Sequence, residues 1–434
     1  MKKLLSLVAM LALAAACVPH VATAGLRGAF DPITLGPNYQ TGIPNGFQTP
    51  AARPGALISD GGVSGIEEFF AFTTRSQQLG NESSREIWLG INVSQGGFLF
   101  DPPDCRSPLL RDPTGTISYT DPSWSADGRF LAYVKTDHTA LQSSLWVQEF
   151  QISDVTLDAT TPVGAPILVV PEVPLVAARH PNWSPDGTTL VYDSNASGLS
   201  IDLYKVQVFP TVGSPVRLTF VDNRAEQNPA YAPDGVRIAF DTNQFGPNVI
   251  EILDTSTNVT TLAETNFKPV SHTYPRWSSD GGSIYYYAPQ AEDAQQNTDI
   301  WKLDLATQSK CDILFDGNGD LNADVSRILH HTADGVPYNQ IYIESQAAGN
   351  GLIIWRANAV TSCVPPLPMV IEASPTTLNL GSSGQNLSFT VSFPAETQAA
   401  GYQAQSFNGP LEGVRCRRTI VRSPLFLGLA PRTD

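Results

Sequence analysis

The hydrophobic residues of this chain fall in short runs, separated by segments rich in glycine, proline, asparagine and aspartate. One repeat has such runs at residues 190–192, 201–204 and 216–219. Apolar runs this short, bounded by turn residues and rich in β-branched and aromatic side chains, predict strands rather than helices. In each repeat the run that follows a turn is apolar on both faces, which is typical of a sheet covered on both sides. The pattern therefore predicts an all-β protein.

A turn motif separates these runs. Residues 180–187 read His-Pro-Asn-Trp-Ser-Pro-Asp-Gly. The last four place proline at the second turn position, where its fixed φ is suitable, and glycine where the backbone is left-handed. We therefore predict a hairpin at this motif, in which the aspartate is a turn residue and not a catalytic acid.

The motif is repeated along the chain. Strong copies occupy residues 121–128, 228–235 and 274–281, and weaker copies lie at residues 59–61 and 331–335. The aspartates of the four strong copies, Asp127, Asp186, Asp234 and Asp280, are 59, 48 and 46 residues apart. Strand-rich self-similarity with a period of ~40–50 residues indicates a β-propeller. We predict a six-bladed β-propeller of four-stranded blades over residues 58–361.

The motif copies resemble those of a known family. The x-Pro-x-Trp-Ser-Pro-Asp-Gly pattern, with Arg-Leu-Thr at residues 217–219, is similar to the repeats of TolB-type, WD-like β-propellers. The resemblance covers residues 58–361 and implies a propeller that binds a partner at the mouth of its channel. TolB proteins carry a small α/β domain before the propeller, and residues 25–57 are too short for one. We therefore expect a TolB-like propeller without that domain.

The two ends of the chain differ from the repeats. Residues 1–24 have two lysines, an apolar stretch and Ala-Thr-Ala before Gly25, the pattern of a secretory signal peptide. Lipid attachment at Cys17 is the less favoured alternative. Residues 25–57 are predicted to form an extended N-terminal arm, and residues 366–434 a partial immunoglobulin-like β-sandwich segment. We expect a bacterial protein that is exported to the periplasm or secreted.

Charge and cysteine content limit the possible partners and cross-links. The formal net charge of −15 argues against nucleic acid and anionic membrane surfaces as partners. No stretch after the signal is long and apolar enough for a transmembrane segment, and we expect a monomer. Four cysteines remain after signal cleavage, none in Cys-x-x-Cys spacing. Cys311 with Cys363 is one of the pairings that an oxidising compartment permits, and the choice among the pairings stays open.

A search for catalytic motifs finds no nucleophile elbow, zinc-protease helix or phosphate-binding loop. We therefore predict no catalytic residue, cofactor or bound metal. Three histidines, His180, His272 and His330 (or its neighbour His331), lie near the start of innermost strands, and Gln227 lies near the start of another. We predict that these four residues form a binding rim around the channel. They also resemble the manganese-binding His/Gln arrangement of oligogalacturonate-lyase-type propellers, and an ordinary polar rim is the other interpretation.

Residues 316–324 carry a carboxylate or amide at every second position, a spacing of oxygen ligands that suits calcium. An EF-hand loop needs glycine at its sixth position and a carboxylate at its twelfth, where this chain has Leu321 and Arg327. A solvated turn between blades is therefore the favoured interpretation, and a calcium-stabilised module remains an alternative.

The sequence thus favours a non-catalytic module. We expect it to bind a protein or a polysaccharide through the channel mouth of the propeller. The alternative is a metal-dependent polysaccharide lyase or hydrolase with a histidine-lined site in the channel. The partner itself has no signature in the sequence.

Overall fold

The computed structural model is built from antiparallel sheets. It describes residues 28–32, 45–46, 48–53, 66–75, 84–93, 108–152, 160–198, 200–221, 223–243, 246–265, 270–289, 298–313, 320–331, 337–345, 351–360, 370–374, 386–392 and 405–410. Every regular element within these ranges is a strand, so the all-β prediction is confirmed. This part of the chain also contains no helix with the length and apolar character of a membrane span.

Three four-stranded sheets come first along the chain. Sheet one contains β3 (Gln48–Ala52), β4 (Ile66–Arg75), β5 (Arg85–Val93) and β6 (Pro108–Leu110). Sheet two contains β7 (Ile117–Trp124), β8 (Phe130–Asp137), β9 (Gln142–Ile152) and β10 (Thr160–Val170). Sheet three contains β11 (Ala178–Trp183), β12 (Thr189–Ser194), β13 (Asp202–Gln207) and β14 (Val216–Arg217).

Two further four-stranded sheets and two sheets of other sizes follow. Sheet four contains β15 (Glu226–Tyr231), β16 (Arg237–Thr242), β17 (Val249–Asp254) and β18 (Val259–Leu262), and sheet five contains β19 (Thr273–Trp277), β20 (Ser283–Pro289), β21 (Thr298–Asp304) and β22 (Lys310–Asp312). Sheet six combines β23 (Asp320–His331), β24 (Pro337–Ser345) and β25 (Gly351–Val360) with β1 (Gly28–Pro32) and β2 (Asn45–Gly46). A separate three-stranded sheet contains β26 (Val370–Ser374), β27 (Asn386–Ser392) and β28 (Gln405–Pro410).

Successive sheets pack face to face in a β-propeller arrangement. In β12, Leu190 and Tyr192 lie in the core between sheets two and three, while Val191 lies in the core between sheets three and four. Because side chains alternate across a strand, one strand contributes to two cores, and this explains its apolar character on both faces. Sheet six packs against sheet one, where Phe70 stacks on Tyr342 with the ring centroids 4.9 Å apart.

The predicted N-terminal arm, residues 25–57, contains strands. β1 pairs antiparallel with β25 as the outer strand of sheet six, and β3 is the inner strand of sheet one. Sheet six thus combines strands from the start of the chain with strands from residues 320–360. The sequence did not indicate this because β3 reads Gln-Thr-Pro-Ala-Ala, which lacks the large apolar side chains of the other inner strands.

The Ser-Pro-Asp-Gly turns have the predicted role. In the copy at residues 184–187, Ser184 Oγ donates to Asp186 Oδ1 at 2.5 Å, and the Thr188 N–H donates to the same oxygen at 3.0 Å. Gly187 has a φ of +69°. The hydrogen bond from Ser184 lowers the pKa of Asp186. The aspartate therefore serves as the acceptor that holds its own turn together.

The motif tryptophans connect neighbouring sheets. Trp183 Nε1 in sheet three donates to the Ser123 carbonyl of sheet two at 3.1 Å, and Trp277 Nε1 in sheet five donates to the Ala230 carbonyl of sheet four at 3.0 Å. Trp124 is as deeply buried as Trp183. Its Nε1, however, has no hydrogen-bond partner within the described ranges. The same motif position therefore occurs both with and without the link.

One of the five cysteines lies within the described residues. Cys311, on β22, forms a disulfide bond. The other four cysteines of the chain lie outside the described residues. The predicted pairing of Cys311 with Cys363 therefore stays a prediction.

The tryptophan link gives a testable difference in stability. We expect Trp183→Phe to lower the free energy of unfolding by about 1–2 kcal/mol more than Trp124→Phe, because only Trp183→Phe leaves a buried carbonyl without its donor. Urea unfolding of both variants measures this difference. Equal losses in the two variants would mean that packing alone accounts for the contribution of Trp183 to stability.

Candidate functional site

Four inner strands contain a bulge at a residue that precedes proline. The φ of this residue is 52° at Asp121, 49° at His180, 54° at Asn228 and 58° at Tyr274. The pairing with the second strand shifts register at the same place in all four sheets. Left-handed backbone is uncommon for residues other than glycine, and a following proline restricts it further. Because a bulge leaves its extra residue unpaired in the ladder, the N–H of that residue needs another acceptor.

A buried carboxylate of sheet three provides this acceptor for sheet four. Asp193, on β12, accepts the backbone N–H of Asn228 at 3.2 Å through Oδ2. The same oxygen lies 2.5 Å from His180 Nδ1, and Oδ1 accepts from Arg179 Nε at 3.2 Å. Asp193 is fully buried, so these donors replace the water that its charge would otherwise require.

Asp241, on β16, repeats this arrangement one sheet later. Its Oδ1 accepts from Asn228 Nδ2 at 2.7 Å and from the Tyr274 backbone N–H at 3.4 Å. Its Oδ2 accepts from Asn248 Nδ2 at 2.8 Å. Each aspartate thus binds the side chain of the bulge residue in its own sheet and the backbone N–H of the bulge residue in the next sheet.

The bulge side chains and nearby arginines meet inside the ring. The rings of His180 and Tyr274 contact edge to face at 6.2 Å, although they belong to sheets three and five. The Arg276 guanidinium lies 4.0 Å from the Tyr274 ring centroid, and its Nε lies 3.4 Å from Asp324 Oδ1 of sheet six. Contacts between sheets that are not neighbours in the ring place these groups in the central channel.

Sheet six contributes two charged residues to this channel. Arg327 Nη2 donates to the Trp183 carbonyl of sheet three at 3.4 Å. Asp324 Oδ2 accepts the backbone N–H of Ala52 in sheet one at 2.7 Å. Side chains of the inner strand of sheet six therefore contact sheets one, three and five.

Burial and neighbouring charges shift two pKa values in the channel. Burial alone would lower the pKa of His180, but the carboxylates of Asp193 and Asp121 outweigh burial and raise that pKa above its usual value. Burial raises the pKa of Asp241 to about 6, although hydrogen bonds from Asn228 and Tyr274 oppose the shift. Asp241 therefore titrates close to neutral pH, where an ordinary aspartate is fully ionised.

The residues predicted for the binding rim occupy different positions in the repeat. His180 directly precedes its proline, whereas Gln227 lies two residues and His272 three residues before theirs. His272 is buried, with its ring 4.8 Å from that of Tyr286 and Nδ1 3.5 Å from Glu264 Oε2. His180 instead contacts Asp193 and the channel.

The other two members of the predicted rim, Gln227 and His330, lie in strands. Gln227 pairs in register with Asp241 across β15 and β16. His330 is a strand residue in β23, and its side chain lies outside the described part of the chain. Among the residues that the structure describes, no group of three His, Cys, Asp or Glu side chains is arranged to hold a metal ion. The rim prediction for the four residues therefore remains a prediction.

The possible calcium segment lies partly in a strand. Residues 314–319 are outside the described residues, and β23 begins at Asp320. Asn322 Nδ2 donates to Glu344 Oε2 at 3.1 Å, and Asp324 contacts Ala52 and Arg276. The second half of the segment is therefore strand that packs into the ring, rather than an exposed turn.

Sequence reasoning missed the aspartates of the second strands. Asp193 and Asp241 each stand between a large aromatic residue and Ser or Thr, directly after runs predicted to be buried on both faces. A charge in such a run needs buried partners, and this was the available signal. The equivalent positions in sheets two and five hold Val134 and Tyr287, so an aspartate at this position does not recur in every repeat.

The raised pKa of Asp241 predicts a pH-dependent stability. A carboxyl group with a folded pKa of about 6 and an unfolded value near 3.8 stabilises the fold fully below the unfolded value. That contribution, about 3 kcal/mol, is lost as the pH rises through 6. We expect the stability difference between the wild-type protein and Asp241→Asn to fall by about this amount from pH 4 to pH 7, as measured by urea unfolding.

Asp186→Asn is the matched control for this pH series. The pKa of Asp186 is lowered, so its contribution is lost only as the pH falls through that lowered value. The difference between the wild-type protein and Asp186→Asn should therefore stay constant between pH 5 and pH 7. Parallel profiles for Asp241→Asn and Asp186→Asn would contradict the assignment of a buried, weakly compensated carboxyl group to Asp241.

Comparison with known proteins finds similar solved structures. No protein-family model matches the chain, and no curated protein matches it. Of the solved structures similar to it, TolB from Acinetobacter baumannii is 16% identical with a TM-score of 0.40, covering 64% of this chain and 60% of that one. A Mycobacterium tuberculosis puromycin-hydrolyzing peptidase is 14% identical with a TM-score of 0.40, covering 70% of this chain and 44% of that one. Oligogalacturonate lyase from Vibrio parahaemolyticus is 12% identical with a TM-score of 0.40, covering 73% of this chain and 79% of that one.

The chain spans less than two thirds of the length of the TolB and peptidase structures. The names of the peptidase and the lyase describe different reactions, and similarity at this level assigns no activity to the present chain. The repeated turn motif and the face-to-face packing of antiparallel sheets are those of a β-propeller arrangement, and the solved structures similar to this chain include TolB proteins.

Proposed function

We propose that this protein is an exported, monomeric propeller that binds a protein or a polysaccharide through its channel mouth and does not itself catalyse a reaction. Sheet six is the sixth blade of the ring in this proposal, with β1 as its outer strand. Strands β26–β28 belong to a partial immunoglobulin-like segment. The signal peptide ends at Ala24, so the mature protein begins at Gly25 in the periplasm or outside the cell.

The observation that carries the proposal is the set of contacts across the channel. The His180 ring reaches Tyr274 of sheet five, and the Arg327 guanidinium reaches the Trp183 carbonyl of sheet three. Side chains that contact across a ring fix one another in position. Such fixed groups favour binding, because little conformational entropy is lost when a partner arrives.

Backbone strain supports the same interpretation. Left-handed conformations at Asn228 and Tyr274 each cost of order 1–3 kcal/mol. The bulges persist because Asp193 and Asp241 hold the next sheet's bulge residue by its N–H. Strain held in place by buried hydrogen bonds is frequent at binding sites, where it orients side chains toward a ligand.

The charges of the channel indicate how a partner would be recognised. The arginines Arg276 and Arg327 lie beside the carboxylate of Asp324, and Asp121 adds a second carboxylate. A surface of mixed charge offers both donors and acceptors. It suits the backbone and polar side chains of a protein, or the hydroxyl groups of a polysaccharide, better than a strongly charged polymer.

A capture experiment tests the proposed function. We expect wild-type protein to retain a specific partner from an envelope extract, and Arg327→Ala to retain at least about tenfold less, because it loses a solvent-accessible channel cation. Arg129→Ala, which removes an exposed arginine paired with Glu149 beside the turn at residues 125–128, is the matched control and should retain the partner fully.

Depolymerisation of anionic polysaccharides is assayed with the same three proteins. Bond cleavage by the wild-type protein that a chelator abolishes would replace the proposal with the metal-dependent lyase or hydrolase. Equal capture by Arg327→Ala and Arg129→Ala would show that the partner binds away from the channel.

A further inference from the structure

A polar groove lies between sheets three and four, away from the Ser-Pro-Asp-Gly turns. It has a volume of about 470 Å³ and is lined by the loop around Asn195 and Ser200 and by the segment around Asn223 and Arg224. A bridge between Ile201 and the residue after Arg224 joins its two walls. We call this site the interblade groove. Its walls are the loop between β12 and β13 and the segment before β15, on the face at which the inner strands begin.

The charge beneath the interblade groove is negative. Arg224 lines the groove, and its Nε donates to Glu226 Oε1 at 2.5 Å while its Nη2 lies 3.5 Å from Glu251 Oε2. Asp202 is bound by Arg217 at 2.9 Å. Within the described part of the chain, these three buried carboxylates pair with two guanidinium groups. A net negative charge removed from water is unfavourable unless a cation approaches it.

Asp202 contributes a carboxylate oxygen that lacks a hydrogen-bond donor among the described residues. Asp202 Oδ1 accepts from Ser200 Oγ, which lines the groove, and from Arg217 Nη2, both at 2.9 Å. Asp202 Oδ2 is buried and has no hydrogen-bond partner among the described residues. Burial raises the pKa values of Glu226 and Glu251, and the charge of Asp202 adds to the shift at Glu226. The cluster therefore has unused capacity to interact with a positive group.

The exposed apolar residues next to the interblade groove, here called its rim, include a leucine in a strained turn. The Val176 N–H donates to the Val173 carbonyl at 3.1 Å, with Pro174 second in the turn and Leu175 third at a φ of +64°. A turn of this kind selects glycine or asparagine at its third position. Leu175 is instead 81% exposed, so burial does not offset the strain. Asn195 Nδ2 donates to the Leu175 carbonyl at 3.0 Å, which joins this turn to the groove.

The rim also includes two other exposed apolar residues. Phe220 is 64% exposed and Val221 is 50% exposed, and they lie three and two residues before Asn223 of the groove lining. The Arg217 guanidinium lies 5.1 Å from the Phe220 ring centroid, which connects this part of the rim to the buried charges. Large exposed apolar side chains beside a polar groove are typical of a protein-binding site.

We propose that the interblade groove binds a peptide segment of a partner protein, in which a lysine or arginine is flanked by apolar side chains. The basic group would lie over the carboxylate cluster, and its apolar neighbours would cover Leu175 and Phe220. Charge complementarity favours this occupant, since the whole chain has a formal charge of −15 and attracts basic partners. The groove is separate from the channel residues that carry the proposed function, so either site can fail without the other.

Binding of short probe peptides to the full-length protein tests this proposal. Three fluorescent peptides differ only in a central Lys, Gln or Glu between leucine and valine, and fluorescence anisotropy measures their affinity at low and high salt. We expect the Lys peptide to bind best, and its affinity to fall with salt. We expect Glu226→Gln to weaken its binding about tenfold, whereas Glu149→Gln, which changes a half-buried carboxylate of sheet two paired with Arg129, leaves it unchanged.

Leu175→Asn gives a second and sharper test. Asparagine suits the left-handed position, so this variant should have a higher melting temperature and yet bind the Lys peptide about tenfold more weakly. Leu141→Asn is the matched control, because Leu141 is also exposed with a φ of +54° but lies in the turn between β8 and β9 of sheet two. It should raise the melting temperature without changing the affinity.

Several results would overturn the proposal. Equal affinity for the three peptides, or binding that salt does not affect, would remove the role of the carboxylate cluster. Unchanged affinity in Leu175→Asn would remove the role of the rim. Specific binding of a neutral oligosaccharide in competition with the Lys peptide would replace the protein partner with a polysaccharide. Arg327→Ala serves as a channel variant that should bind the Lys peptide normally.

Discussion

The rest of the channel depends on one constraint, the unpaired N–H group of a left-handed residue before proline. Proline cannot donate to the sheet, and the bulge leaves the preceding N–H without a ladder acceptor. In sheets four and five this N–H donates to a buried aspartate of the preceding sheet, Asp193 or Asp241. Those aspartates could not stay ionised and buried without such donors. The strained bulge and the buried charge therefore stabilise each other.

This mutual dependence connects the fold to the candidate function. Because each aspartate contacts two sheets, the position of one bulge side chain depends on its neighbour. The result is a channel in which His180 and Tyr274 face each other across non-adjacent sheets. Packing between sheets supplies most of the apolar burial, while the aspartates set the angles of the residues that a partner would meet. The interblade groove lies outside this set of hydrogen bonds, on a different surface, and has its own buried carboxylates.

The sequence predicted the repeating unit well, because turn chemistry is local. Gly187 needs a positive φ and Asp186 caps its own turn, and both follow from four consecutive residues. The strand alternation likewise gave the all-β class. The use of β1 and β3 was not predictable, since those strands are defined by pairing with residues far away in the chain. The separation of His180 from His272 could be read from the sequence, since His180 directly precedes its proline and His272 lies three residues before its own.

Hydrogen exchange of the bulge amides tests most directly whether the buried aspartates hold the neighbouring sheets. In the wild-type protein, the amides of Asn228 and Tyr274 should both exchange slowly, since each donates to a buried carboxylate. Asp241→Ala should accelerate exchange at Tyr274 and leave Asn228, which donates its backbone N–H to Asp193, protected. Slow exchange at Tyr274 in that variant, or equal acceleration at both amides, would contradict the account.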